Sequence, residues 1–161
     1  MTTKQAKEAA KAKAARAAKP GKAVIEVASA IIQRDGRYLV SQRPEGSHLG
    51  PCWEFPGGKR LTTETIEGCA RRKVHEELGI EISVDKLWRV IERSYPERIV
   101  KLHFFLCTLE SGTPRAIGCQ HFRWIQPSEF GNYEFPPADL DIVHELARKS
   151  LRLAAAAAAA V

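Results

Sequence analysis

The stretch GKRLTTETIEGCARRKVHEELGI, from Gly58 to Ile80, decides the fold and most of the chemistry. Thr65 is placed to cap a helix, Glu67 falls in its first turn, and Gly79 stops it. Ile66, Ala70, Val74 and Leu78 recur every four residues and make one apolar stripe, while Arg72, Lys73, Glu76 and Glu77 fall away from it. Before the helix, Pro56-Gly57-Gly58 reads as a tight loop that lets backbone approach a ligand closely. Adjacent carboxylates such as Glu76 and Glu77 repel each other, and a hard divalent cation such as Mg²⁺ relieves that repulsion. Because Mg²⁺ also bridges phosphate oxygens, a phosphate substrate follows. The spacing alone favours a second arrangement, a solvated face with Arg72–Glu76 and Lys73–Glu77 paired at i,i+4.

Outward from this stretch, strands are expected on both sides. Ala23 to Gln33 is rich in Val and Ile, Asp35-Gly36 is a hairpin turn signal, and Arg37 to Gln42 returns. Arg43 to Cys52 reads as a loop and Trp53-Glu54-Phe55 as a short strand. After Gly79, strands are expected at Ile80 to Val84, Leu87 to Glu92, Ile99 to Leu109 and Phe122 to Ile125. A helical turn is expected at Pro127 to Phe130, and a last helix from about Ala138 to Arg152. Strands flanking a central helix make this an α+β domain, an α/β/α sandwich around a mixed sheet.

The 161 residues suit one domain. The net charge of +6 is unevenly spread. Residues 1–22 hold seven bases and one acid, and the remainder balances at 18 of each. The chain therefore divides into a basic Ala/Lys-rich arm (1–21), a neutral domain (22–153) and a poly-Ala tail (154–161). The arm is expected to be mobile. No apolar run reaches the ~18–20 residues of a membrane span, and no apolar stretch follows the N-terminal bases as in a secretory signal. A cytoplasmic, non-membrane protein is expected. Cys52, Cys69, Cys107 and Cys119 are scattered, as isolated reduced thiols are.

The stretch resembles the Nudix box, G-x5-E-x7-R-E-U-x-E-E-x-G-U with U a bulky aliphatic. Eight of its nine defined positions match, at Gly58, Glu64, Arg72, Val74, Glu76, Glu77, Gly79 and Ile80. Three local features are most similar to the MutT branch: Arg43 in SQRPEG, the run EFPGGK from Glu54 to Lys59, and Phe135-Pro136-Pro137-Ala138 before the last helix. The resemblance implies pyrophosphohydrolysis of a nucleoside triphosphate, ordinary or oxidised, to the monophosphate and pyrophosphate, with Mg²⁺ or Mn²⁺. It implies metal contacts from Glu76, Glu77 and the Gly57 carbonyl, and a Glu64–Arg72 pair holding loop to helix. It further implies phosphate contacts from Arg43 and Lys59, a base pocket lined by Phe55, and His48 in a loop that closes on the nucleotide. Trp53 and Trp124 read as core rather than base stackers.

Three positions depart from the pattern. Lys73 stands where the family has a glutamate that ligates metal or activates water, a two-unit change in charge. Gly118, six residues before Trp124, stands where MutT-like chains carry another carboxylate. Glu54, Glu110 or Glu134 would have to replace what is missing, or Lys73 would have to bind phosphate itself. Asp139 stands where MutT reads its oxidised guanine with asparagine. Unless it is protonated, a carboxylate accepts hydrogen bonds only, and it then suits a base edge offering an exocyclic amino group, as in the related CTP pyrophosphohydrolases. A nucleotide-binding domain with weakened catalysis, and an enzyme acting on RNA 5′ ends through the basic arm, are the alternatives. Oligomeric state has no signature.

Overall fold

A computed structural model describes residues 21–160, so residues 1–20 of the basic arm lie outside the described residues. Strand β1 (Ala23–Arg34) turns at Asp35-Gly36 into β2 (Arg37–Gln42). Both turn residues have positive φ, 50° and 73°, as a two-residue hairpin matching the strand twist requires. Then follow β3 (Trp53–Glu54), β4 (Gly57–Lys59), helix α1 (Ile66–Leu78), β5 (Glu81–Ser94), β6 (Arg98–Ser111), β7 (His121–Ile125), a 3-10 helix (Pro127–Asn132) and helix α2 (Pro137–Ala159).

The strands form a mixed sheet in the order β3-β2-β1-β6-β5, with β4 on β1 and β7 on β2. β1 and β6 run parallel, pairing Ile25 with Val100 and Val27 with Leu102, and the remaining pairs are antiparallel. Alternation along β1 divides the core. Ala28, Ala30 and Ile32 pack with Val74 and Leu78 of α1, whereas Ile31 packs with Ile142 and Leu146 of α2. The expected α+β sandwich is therefore present. The same alternation turns Ile25, Val27 and Ser29 to the α2 side, where they line a cleft.

Four local expectations change. Gly57 and Gly58 are strand residues, not a loop. A Cβ at Gly57 would collide with the Ala28 carbonyl, so glycine is what lets β4 lie against β1. The two strands expected between Ile80 and Glu92 are one, β5, with irregular register at Val84/Lys86 and Leu87/Arg89. Asp85 occupies the irregularity and accepts bonds from Ser83 Oγ (2.7 Å) and Thr108 Oγ1 (2.6 Å). Helix α2 continues through the alanines to Ala159, in keeping with alanine's helix propensity. Glu77, expected to face away from the core, is buried. The segment at residues 115–118 closes over the end of α1, its Arg115 amide donating to the Leu78 carbonyl and its Gly118 amide to the Glu77 carbonyl. The capping expectations stand: Thr65 Oγ1 accepts from the Gly68 amide, and Gly79 ends α1 at φ 68°. All four cysteines are free.

Candidate active site

Arg72 is the hub between loop and helix. Its Nε and Nη2 donate to the two oxygens of Glu64 (2.8 and 2.6 Å), its Nη1 to Glu76 Oε1 (3.0 Å), and its Nη2 also to the Lys59 carbonyl (3.1 Å). Glu64 in turn accepts from the Leu61 amide. The Arg72 bonds hold the Glu64 carboxyl down at about 2. The expected Glu64–Arg72 pair is thus a bidentate clamp joining β4, the loop and α1.

One residue further on, Lys73 lies between the two carboxylates of the last turn. Its Nζ donates to Glu76 Oε2 at 3.2 Å and lies 3.7 Å from Glu77 Oε1. Its aliphatic stem lies over Gly58, where a Cβ would collide with Cε. The Glu76 carboxyl is held low by the Arg72 and Lys73 bonds. Glu77 differs. Burial, then the charge of Glu54, push its carboxyl up to about 8 against the opposing Lys73 and Gly57 amide. Glu77 Oε2 is buried without a partner.

These side chains border a cleft in two continuous parts that share Arg43, Glu54, Gly57, Gly58 and Lys59. One part, about 400 Å³, includes Arg72, Lys73, Glu77 and Gly118. The other, about 330 Å³, has an apolar floor of Ile25, Val27, Val100 and Leu102 and a wall of Phe55, Pro136 and Asp139. Asp139 is 5% exposed. Burial first, then Glu54, push its carboxyl up to about 7, opposed by the Phe55 amide and Arg43. Arg43 Nη1 meets Glu54 Oε2 at 3.3 Å, so this pair sits where the two parts join. His48 is exposed at the mouth, and Lys59 borders both parts.

The structure therefore brings together Arg43, His48, Phe55, Gly57, Lys59, Lys73, Glu77 and Asp139 around one cleft, with Glu64 and Glu76 attached to it through Arg72. Trp53 packs on Tyr133, and Trp124 lies under Arg34; neither lines the two-part cleft. Of the three carboxylates considered as replacements, Glu54 lines it, and Glu110 and Glu134 do not. Gly118 packs against the Glu76–Glu77 backbone, where a Cβ would come to 3.1 Å from the Glu76 carbonyl. Sequence reasoning missed Arg93, Tyr95 and Arg98, which border the far end. They reach it because β6 pairs parallel with β1, a long-range pairing that no local pattern announces. The Tyr95-Pro96 turn signal between two apolar runs was the available clue.

The donors suit a hard cation in part. Glu76 and Glu77 supply carboxylate oxygens, and the partnerless Glu77 Oε2 is an orphan such an ion would satisfy. Yet the Lys73 ammonium already spans them, and among the described residues no group of three or more His, Cys, Asp or Glu converges as a metal site. The residues fit one cation held by two carboxylates and the Gly57 backbone, not a fuller carboxylate set.

A mixed sheet between two helices, with a glycine strand, an arginine clamp and paired glutamates beside a nucleotide-sized cleft, defines a Nudix hydrolase. The model of the NUDIX domain matches residues 27–145, and the chain belongs to that family. Within it the chain is of the MutT type. It is 38% identical over 120 residues to the CTP pyrophosphohydrolase of Escherichia coli K12, covering 74% of this chain and 89% of that one. It is 32% identical over 126 residues to the 8-oxo-dGTP diphosphatase of Haemophilus influenzae, covering 78% and 93%. Among solved structures, the solution structure of the E. coli ORF135 protein aligns with a TM-score of 0.69 at 35% identity, covering 85% of this chain and 96% of that one. A MutT structure from Aliivibrio salmonicida and Vibrio cholerae work aligns at 0.66 and 25%, covering 77% and 96%. Nudix hydrolases generally use divalent metal ions. Among the described residues no helix is long and apolar enough to cross a membrane.

Proposed function

We propose that this chain is a pyrophosphohydrolase of nucleoside triphosphates whose base offers an exocyclic amino group, cytosine above all, releasing pyrophosphate and the monophosphate. The observation that carries the reading is the buried Asp139 carboxyl in the wall of an apolar, base-sized cleft whose other end holds Arg43, Lys59 and Lys73. One end suits a flat base and the other a chain of phosphates. The Escherichia coli relative bearing the name CTP pyrophosphohydrolase supports the same choice of base.

In this reading the base lies on Val27 and Leu102, with its amino group donating to Asp139. Arg43 and Lys59 hold the phosphates as charge-assisted donors. Glu76, Glu77 and the Gly57 carbonyl would hold Mg²⁺ or Mn²⁺, which supplies neutralisation of the charge that develops on the phosphate oxygens. Arg72 fixes Glu76 from behind through its grip on Glu64. With lysine at position 73, Glu54 is the carboxylate left within the cleft to accept a proton from water, and burial raises its affinity for that proton.

Pyrophosphate release should be measured on a panel of the eight common ribo- and deoxyribonucleoside triphosphates. Cytosine nucleotides are expected to lead, and Asp139→Ala to erase that lead. No release from any triphosphate with Mg²⁺ or Mn²⁺ would overturn the reading. The Lys73 ion pairs favour a second reading, nucleotide binding with little turnover, in which cytosine nucleotides bind but persist. Action on RNA 5′ ends depends on the basic arm, whose residues 1–20 lie outside the described residues. Deleting residues 1–19 and measuring the salt dependence of RNA binding tests it.

A further inference from the structure

The phosphate end of the cleft carries a charge balance that its family pattern would not give it. Four cationic side chains border it, Arg43, Lys59, Arg72 and Lys73, against two carboxylates, Glu54 and Glu77, with Glu64 and Glu76 ion-paired to Arg72 and Lys73 beside them. The four cations and four carboxylates balance in formal charge with no ion added. A glutamate at position 73 would leave the same set two charges negative and any attraction for phosphate to added metal. Lysine lessens that dependence. Its placement is also confined: the stem rests over Gly58, and the ammonium is drawn to Glu76 Oε2 at 3.2 Å and Glu77 Oε1 at 3.7 Å. An ammonium has three N–H donors, so two carboxylate partners leave one for a ligand. The Lys73 side chain keeps 24% of its surface exposed and borders the cleft beside Lys59.

We propose that, with no divalent ion bound, the Lys73 ammonium is a tethered cation standing between Glu76 and Glu77 and binding the substrate's phosphate chain directly, so that nucleotide binds this chain without metal. The proposal rests on the reading that the cleft accepts a nucleoside triphosphate. It assigns Lys73 a binding role independent of turnover, with a polyphosphate as the ligand class.

The test is calorimetric titration of the full chain with α,β-methylene CTP, a non-hydrolysable probe, in excess EDTA and again in Mg²⁺. Cytidine serves as the probe without phosphates. The parent is expected to bind the triphosphate in EDTA within about threefold of its affinity in Mg²⁺. Lys73→Gln is expected to lose about ten- to a hundredfold in EDTA, the worth of one charge-assisted contact, while its affinity for cytidine holds. Lys73→Arg, which keeps the charge, should retain most of the EDTA affinity, and thermal melting of each variant reports that it is folded. Parent binding abolished by EDTA, or Lys73→Gln binding like the parent in EDTA, overturns the tethered cation. Neither probe binding under any condition overturns the nucleotide reading as well; cytidine binding with no gain from phosphates in EDTA overturns the tethered cation alone.

Discussion

Lys73 Nζ lies 3.7 Å from Oε1 of Glu77, so a buried carboxylate of the cleft faces a cation carried on its own helix one turn away. Helical spacing brings the two together, and β4 keeps them there: Gly58 has no side chain, and the lysine stem fills the room above it.

The two glycines of β4 respond differently to a methyl group. At Gly57 the added Cβ meets the Ala28 backbone, which cannot yield without breaking the β1–β4 pairing. Gly57→Ala is expected to lower stability by about 1–3 kcal/mol in urea unfolding. At Gly58 the obstacle is the flexible Lys73 stem, so Gly58→Ala should cost less than about 1 kcal/mol while displacing the ammonium from Glu76 and Glu77. Equal losses for the two variants would contradict this assignment.

Arg72 is irreplaceable by lysine if the fork matters. It makes two parallel bonds to Glu64 and reaches Glu76 and the Lys59 carbonyl from the same guanidinium. Arg72→Ala and Arg72→Lys should both lower Tm by several degrees, because an ammonium cannot span the bidentate geometry. A Lys variant as stable as the parent would show that charge alone suffices.

Asp139 makes stability depend on pH. Its carboxyl sits at about 7 in the folded chain against an ordinary 3.8, because burial and Glu54 disfavour the charged form. The folded state thus keeps its proton to higher pH than the unfolded chain does. The contribution is fully present below about pH 4 and is lost as pH rises through about 7, to a ceiling of ~4 kcal/mol. Glu77, at about 8, adds a loss of the same sign. Asp139→Asn should flatten the fall in unfolding free energy between about pH 4 and 7 and leave the Glu77 part. An unchanged slope would mean that Asp139 is solvated.

Much of this molecule can be read locally. The caps Thr65 and Gly79, the Asp35-Gly36 hairpin and the four-residue stripe of α1 all act within a few residues, so their signals survive in the sequence. The Glu64–Arg72 clamp is legible only through the resemblance to the Nudix box, whose pattern carries both positions; spacing alone pairs Arg72 with Glu76. Burial of Glu77 is not legible, because the cover comes from residues 115–118, far along the chain. The β4 glycines looked like a loop since what they serve is the close approach of β1, a partner about thirty residues earlier. Arg93, Tyr95 and Arg98 reach the cleft only through the parallel β1–β6 pairing, and the irregularities at Asp85 and Trp88 disguised one long strand as two.

Position 73 decides whether the paired glutamates work as a carboxylate set or as partners of an ammonium. The direct measurement is pyrophosphate release from CTP in Mg²⁺ by the parent and by Lys73→Glu, side by side. Restoring the carboxylate returns a proton acceptor and a cation ligand, and a lost general base alone typically costs ~10²–10⁴ in rate. Lys73→Glu is expected to turn over at least about a hundredfold faster than the parent. A variant no faster than the parent would contradict the role assigned to Lys73.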